Sequence, residues 1–233
     1  IIHLHARFDD GTPTQDRDRF KVIIDAIQEA CPDVIIQPST GGATGMTADE
    51  RLQPTELNPE MASLDCGTMN FGGDEIFVNT ENMIIEFATR MNERGIKPEL
   101  ECFDKSHIDM ALRLVRKGYI KPPLHFNFVL GVNGGATGTP RDLLFMKESI
   151  PKGSTFTVSG IGRCQLEMNV MAMLIGGHVR LGLEDNLKYN RERIGVSNAE
   201  FVERIVRIAK ELNIEIATPA EARQILGLPE RVK

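Results

Sequence analysis

Two histidines one residue apart, His3 and His5, stand in the run Ile1-Ile2-His3-Leu4-His5-Ala6-Arg7. In a strand, residues i and i+2 share a face, so both imidazoles project to one side and Ile2 and Leu4 to the other. Two imidazoles on one rigid strand are half of a zinc site. Two interior histidines, each tied to a backbone carbonyl, would show the same pattern. A second group lies far along the chain in Arg180-Leu181-Gly182-Leu183-Glu184-Asp185. Two adjacent carboxylates cannot point the same way on a continuing strand, so one could face a metal and the other solvent or a substrate. Glu184 could complete a His2Glu set with His3 and His5. Three protein ligands and an open position describe a catalytic zinc rather than a structural one. The plainer alternative is a polar loop that caps the next element.

Glycine-rich segments are the second signal: Ser39-Thr40-Gly41-Gly42-Ala43-Thr44-Gly45, Gly131 to Gly138, and Ser159-Gly160-Ile161-Gly162. Backbone N–H groups and hydroxyls such as those of Ser39 and Thr40 can hold a carboxylate or phosphate. Glycines also make ordinary turns between strand and helix. Gathered on one rim, the three segments suggest an anionic ligand, one with several phosphates among the candidates. Glu99 and Glu101 share a face of one strand and need partners if buried; Arg180 or a metal ion would serve. His107, His125 and His178 have weaker claims. His125 opens a strand and reads as structural, and His178 starts one, at the wrong end for a catalytic rim. Met168, Met171 and Met173 read as helix packing, and the four cysteines as small buried hydrophobes.

The elements that must position these groups alternate. After the first strand, a helical pattern covers residues 17–30, with Phe20, Ile23, Ile24 and Ile27 on one face. Strands follow at 34–38, 61–65, 97–103, 125–130, 154–158 and 179–183. Helices lie between them at 81–94, 109–117, from Thr139-Pro140 onward, and at 164–175. Ser197 with Glu200, and Thr218-Pro219 with Glu221, have the spacing of capping boxes for two final helices. Repeated strand and helix imply a parallel sheet covered by helices. No G-x-G-x-x-G follows the first full strand, which disfavours a dinucleotide-binding open sheet. Polar residues collect in or just after the C-terminal parts of the strands: His3, His5, Ser39, Ser63, Asp65, Glu99, Glu101, Asn127, Ser159, Arg180, Glu184 and Asp185. A (β/α)8 barrel brings those ends onto one rim. The expectation is one barrel domain over residues 1–233. The chain starts in mid-strand without Met or a leader, so a first strand–helix unit is expected to precede it.

Composition narrows the function classes. Net charge is −6, with no stretch that concentrates Lys and Arg, which disfavours nucleic acid as partner. No apolar run reaches the roughly 18 residues of a membrane helix. Cys31, Cys66, Cys102 and Cys164 form no CxxC pair, which fits reduced thiols in a cytoplasm.

The segments His3-Leu4-His5-Ala6-Arg7, Gln37-Pro38-Ser39-Thr40-Gly41-Gly42, Ala62-Ser63-Leu64-Asp65-Cys66-Gly67 and Val179 to Asn186 together resemble the β-keto acid cleavage enzymes. The resemblance runs in order over essentially the whole chain. It implies a (β/α)8 barrel, a catalytic zinc, and cleavage of a β-keto acid with acetyl-CoA to acetoacetate and a new acyl-CoA. It makes His3, His5 and Glu184 the metal ligands, and Arg180 and Asp185 the catalytic pair with Glu101 in support. Ser39, Gly42 and Ser63, with Thr40 and Asp65 beside them, become substrate-binding positions; Ser63 stands where the family is expected to carry Thr. A nearby zinc would keep Asp185 ionised at neutral pH. The family also uses a glutamate on a first strand that this chain does not show. A homotetramer is implied as well. Two rivals stay open: a zinc hydrolase on the same barrel, and a metal- or anion-binding barrel without catalysis, which would need neither Asp185 nor Arg180.

Overall fold

Seven short strands run parallel, and alternation along each decides what faces inward. They are β1 (Ile2–Leu4), β2 (Ile36–Pro38), β3 (Met61–Asp65), β4 (Lys97–Cys102), β5 (His125–Leu130), β6 (Thr155–Gly160) and β7 (His178–Arg180). The computed structural model describes residues 1–230; the last three residues of the expected domain, 231–233, lie outside it. β1 pairs with β2, and β7, β6, β5, β4 and β3 form a second sheet in that order, every pair parallel. The two sheets meet where Thr40, just beyond β2, donates its N–H to Ser63 Oγ at 2.9 Å and its hydroxyl to the Ser63 carbonyl at 2.7 Å. No backbone pairing joins β7 to β1 among the described residues. This is the layout of a (β/α)8 barrel with seven of eight strand positions filled.

The helices are α1 (Arg17–Ala30), α2 (Glu81–Glu93), α3 (Lys105–Arg116), α4 (Pro140–Glu148), α5 (Gln165–Leu174), α6 (Asn198–Glu211) and α7 (Pro219–Leu226). The apolar face of each strand meets them. Leu64, Leu100, Phe126, Phe128, Leu130, Phe156 and Val158 pack in one core with residues of α2, α3, α4 and α5, including Ile84, Phe87, Ile108, Leu114, Leu143 and Met168. Leu4 and Ile36 pack with Phe20 and Ile24 of α1. The opposite face of the same strands is polar: His3, Gln37, Ser63, Asp65, Glu99, Glu101, His125, Asn127, Thr157, Ser159 and Arg180. Apolar-out and polar-in with a period of two makes a polar barrel interior.

Several boundaries differ from expectation for local reasons. The first strand stops at Leu4; Ala6–Arg7 instead pairs antiparallel with Pro13–Thr14. α3 starts at Lys105 because Asp104 caps it, accepting from Ser106 N at 2.7 Å. β7 ends at Arg180, not at residue 183. Side chains take the backbone groups that a ladder would have used: Asn198 Oδ1 accepts from Leu183 N at 2.7 Å, and Gln165 Nε2 donates to the Gly182 carbonyl at 3.3 Å. The box at Thr218 and Glu221 closes in both directions. That at Ser197 closes in one, since Glu200 reaches back to Val196 N instead. Cys66 and Cys102 are buried, but Cys31 ends α1 and is exposed, against the expectation for it.

Candidate functional site

Arg180 organises the mouth of the barrel. It is the last residue of β7 and lies beside Ser159 in register, so its guanidinium enters the interior. NH1 donates to Glu101 Oε1 at 3.2 Å, and NH2 donates to Glu184 Oε2 at 2.8 Å and to Asp185 Oδ1 at 2.9 Å. Nε reaches Asp185 Oδ2 at 3.3 Å. Burial alone would lower the Arg180 pKa, but Asp185, Glu101 and Glu184 together push it above its ordinary value, so the charge is permanent. Because β7 stops at Arg180, Glu184 and Asp185 are no longer on a strand, and both reach one guanidinium. The expectation that they diverge rested on a longer strand. Glu99, offered above as another partner of Arg180, pairs instead with His125 at 3.1 Å.

His3 and His5 do converge. Their Nε2 atoms are 3.3 Å apart, and His5 Nε2 is 3.7 Å from Glu184 Oε1, the oxygen that Arg180 leaves free. Burial lowers the pKa of both imidazoles, that of His3 well below its ordinary value, with Arg180 adding to the effect. Both are therefore neutral at pH 7, the form that binds a metal. An imidazole that carries its one proton on Nδ1 has its Nε2 lone pair free for a metal. Nδ1 of His3 is buried without a hydrogen-bond partner. Two nitrogens and a carboxylate oxygen are a donor set that suits zinc, so the residues present fit such an ion. His3, Glu99 and Glu101 form a second convergent group that could hold a metal ion, their donor atoms within 4.8 Å of one another. Glu99 and Glu101 already accept hydrogen bonds from Gln37, Asn127 and Arg180.

The carboxylates differ in readiness to hold a proton. Burial pushes Asp185 up to about 7, with Arg180 pulling it down and Glu184 pushing it up. The expectation of an unraised value assumed a metal ion beside it. Glu184 goes the other way: partial desolvation of its carboxyl would raise it, but its hydrogen bond with Asp185 and the charges of Arg180 and His5 hold it below the usual range. Burial and the neighbouring Asp65 raise Glu101 well above that range.

The positions expected to bind substrate lie alongside, Asp65 next to Glu101 in the β3–β4 register. Ser39, Thr40, Ser63 and Asp65 are buried. Ser39 Oγ accepts from Gly41 N at 3.1 Å, a turn that presents the loop. Thr40 and Ser63 spend part of their capacity joining β2 to β3, leaving the Ser63 hydroxyl proton free to donate. Gly42 has φ of +65°, and a Cβ there would stand 2.9 Å from Met46 Sδ, so the close turn requires glycine. The residue missed by sequence reasoning is Arg51, on a short helix at Ala48–Leu52 that was not anticipated. It is 2% exposed and donates to the Thr40 carbonyl at 2.8 Å, to Asp65 Oδ2 at 3.2 Å and to Asn79 Oδ1 at 2.7 Å. Its one signal was the capping box formed by Thr47 and Glu50 at the start of that helix. His107 and His125 are both buried. A surface cavity of about 530 Å³, lined by His107, Glu81 and Arg113 among others, shares no residue with the Arg180 cluster.

A family model described as beta-keto acid cleavage enzyme matches residues 1–228. The chain is 64% identical over 228 residues to a 3-keto-5-aminohexanoate cleavage enzyme of Acetoanaerobium sticklandii, covering 98% of this chain and 84% of that protein. It is likewise 64% identical over 228 residues to a protein of the same description from Fusobacterium nucleatum, covering 98% and 83%. Among solved structures, the apo structure of ObcA superposes with a TM-score of 0.81 at 20% identity over 98% of this chain. The chain spans 61% of the length of that structure, and the likeness bears on the fold alone.

Proposed function

The chain belongs to the β-keto acid cleavage enzymes, and from that membership we propose that it cleaves 3-keto-5-aminohexanoate with acetyl-CoA. The products are acetoacetate and 3-aminobutyryl-CoA. The observation that carries the reading is the arrangement around Arg180: Asp185 and Glu184 held on one guanidinium beside the His3–His5 pair. His3, His5 and Glu184 would hold a zinc ion, whose contribution when bound is Lewis-acid stabilisation of negative charge on the β-keto acid.

The remaining chemistry belongs to the chain. Asp185, held at both oxygens by Arg180, takes a proton from C2 of the keto acid. Arg180 offsets the charge that develops, and Glu101 beneath it fixes the guanidinium. Ser39, Thr40, Gly42, Ser63 and Asp65 line the place of the substrate's polar groups, with Arg51 holding that wall rigid. The C2 carbanion attacks the acetyl-CoA thioester and displaces CoA. The thiolate then adds to the C3 ketone, and the C2–C3 bond breaks. C1 and C2 leave with the acetyl group as acetoacetate, C2 taking back its proton from Asp185 as the bond breaks; C3 to C6 leave as the new thioester. Carbon, sulfur and charge balance without a redox cofactor.

We propose the cytoplasm as its compartment and a homotetramer as its assembly. No helix among the described residues is long and apolar enough to cross a membrane. Leu187, Ile194 and Val196 stand exposed along one loop, the kind of surface an oligomer covers. The test is turnover of the purified, zinc-loaded protein on a panel of β-keto acids with and without acetyl-CoA. Acetoacetate should appear with 3-keto-5-aminohexanoate and only when acetyl-CoA is present. Equal consumption without acetyl-CoA would make the protein a hydrolase and overturn the proposal.

A further inference from the structure

Beneath the His3–His5 pair the barrel interior holds a buried chain of hydrogen bonds that the reaction above does not use. Gln37 lies beside His3 in the β1–β2 register. Its Nε2 is 2.6 Å from Glu99 Oε2. Only an amide nitrogen can approach a carboxylate so closely, so the carbonyl Oε1 is left for another partner. The other oxygen of Glu99 is 3.1 Å from His125 Nε2, and His125 Nδ1 is 2.8 Å from Thr155 Oγ1. Gln37, Glu99 and His125 are all buried. At the upper end of this chain stands His3, whose Nδ1 is buried without a hydrogen-bond partner. Gln37 is the neighbour of His3 across the β1–β2 pair, with both side chains on the interior face.

We propose that Gln37 is a positioning residue for His3: held through Glu99 by His125, its carbonyl accepts the Nδ1–H of His3 and fixes the tautomer whose Nε2 lone pair faces the metal position. This inference rests on the zinc reading above. A neutral imidazole carries one proton, and the partner of one ring nitrogen decides what the other can ligate. Loss of such an outer partner costs about 10- to 100-fold in metal affinity. Glu99 is then part of the support and not a ligand, although it lies in the group His3, Glu99 and Glu101 that could itself hold an ion.

The test is zinc affinity by competition with a chromophoric chelator, with the visible spectrum of the cobalt-loaded protein as a readout independent of activity. It uses the wild type, Gln37→Met, Gln37→Glu and Glu99→Gln, each checked for folding by circular dichroism. Gln37→Met keeps length and loses the acceptor; it should bind zinc about 10- to 100-fold more weakly and shift the cobalt bands. Gln37→Glu keeps an acceptor toward His3 but sets a second carboxyl against Glu99, where the two must share a proton; it should bind zinc more tightly than Gln37→Met. Glu99→Gln should weaken binding without abolishing it. Wild-type affinity and spectrum in Gln37→Met, or equal weakening in both Gln37 variants, would overturn the inference alone. So would total loss of metal in Glu99→Gln with Gln37→Met unchanged, which would make Glu99 a ligand. A wild type that takes up no zinc would overturn the metal reading and this inference together.

Discussion

Asp185 and Glu184 differ by one methylene and touch the same guanidinium, yet their surroundings part them. Asp185 is buried, turns both oxygens to Arg180 and is pushed up to about 7. Glu184 is exposed, turns one oxygen to Arg180 and the other to His5, and is held low. Asp185→Asn is therefore expected to keep zinc while acetyl-CoA-dependent turnover falls by roughly 10²- to 10⁴-fold. Glu184→Gln should lose metal affinity first and regain part of its activity with added zinc. Metal titration and a rate assay on both variants check the pair; metal loss in Asp185→Asn would reverse the two roles. At this scale residue types were legible in the sequence but pairings only in part. The spacing of His3 and His5 announced a shared face. Arg180 was an expected partner of Glu99 and Glu101 and does meet Glu101, but nothing in the spacing told that Glu99 would meet His125 instead.

The elements show where reading by periodicity works. Strands such as His125–Leu130, whose outer face is Phe126, Phe128 and Leu130, and helices with a strong apolar stripe were visible. Short elements held by side chains were not. The hairpin of Met69–Phe71 with Glu75–Phe77 and the helix at Ala48–Leu52 are too brief for a periodic signal. That short helix carries Arg51, the buried partner of Asp65, with side chains 2% exposed on both sides. Burial lowers the Arg51 pKa and raises that of Asp65, and each opposes the shift of the other. Removing one member of such a pair leaves a buried charge without compensation and costs about 3–5 kcal/mol. Arg51→Met should lose stability on that scale in urea unfolding, and it should also raise the KM for the keto acid as the wall behind Thr40 loosens. A variant with wild-type stability would show that Asp65 is satisfied by other groups.

The molecule as a whole reads as a barrel because its strands are polar on one face and apolar on the other, a pattern visible in the sequence as alternation. Among the described residues no backbone pairing closes β7 onto β1. One whole-chain property is pH dependence. His107 is buried with its Nδ1 accepting from Phe103 N at 3.3 Å, and burial lowers its pKa below the ordinary 6.5, against the pull of Asp104 and Asp65. The unfolded chain then takes up the proton first. Stability is full above about 6.5 and is lost as pH falls below it, by up to about 1.4 kcal/mol per pH unit for this group. His107→Asn retains an acceptor for Phe103 N and should lose less stability than the wild type between pH 7 and 5.5; equal losses would exclude His107 as the source. Light scattering should give four chains per particle at micromolar concentration, and a monomer would contradict the proposed assembly. The most direct test of the central claim follows the carbon atoms. With acetyl-CoA labelled with ¹³C in both acetyl carbons and unlabelled 3-keto-5-aminohexanoate, mass spectrometry should find the label in acetoacetate and none in the new CoA ester. Label in that ester, or unlabelled acetoacetate, would contradict the account.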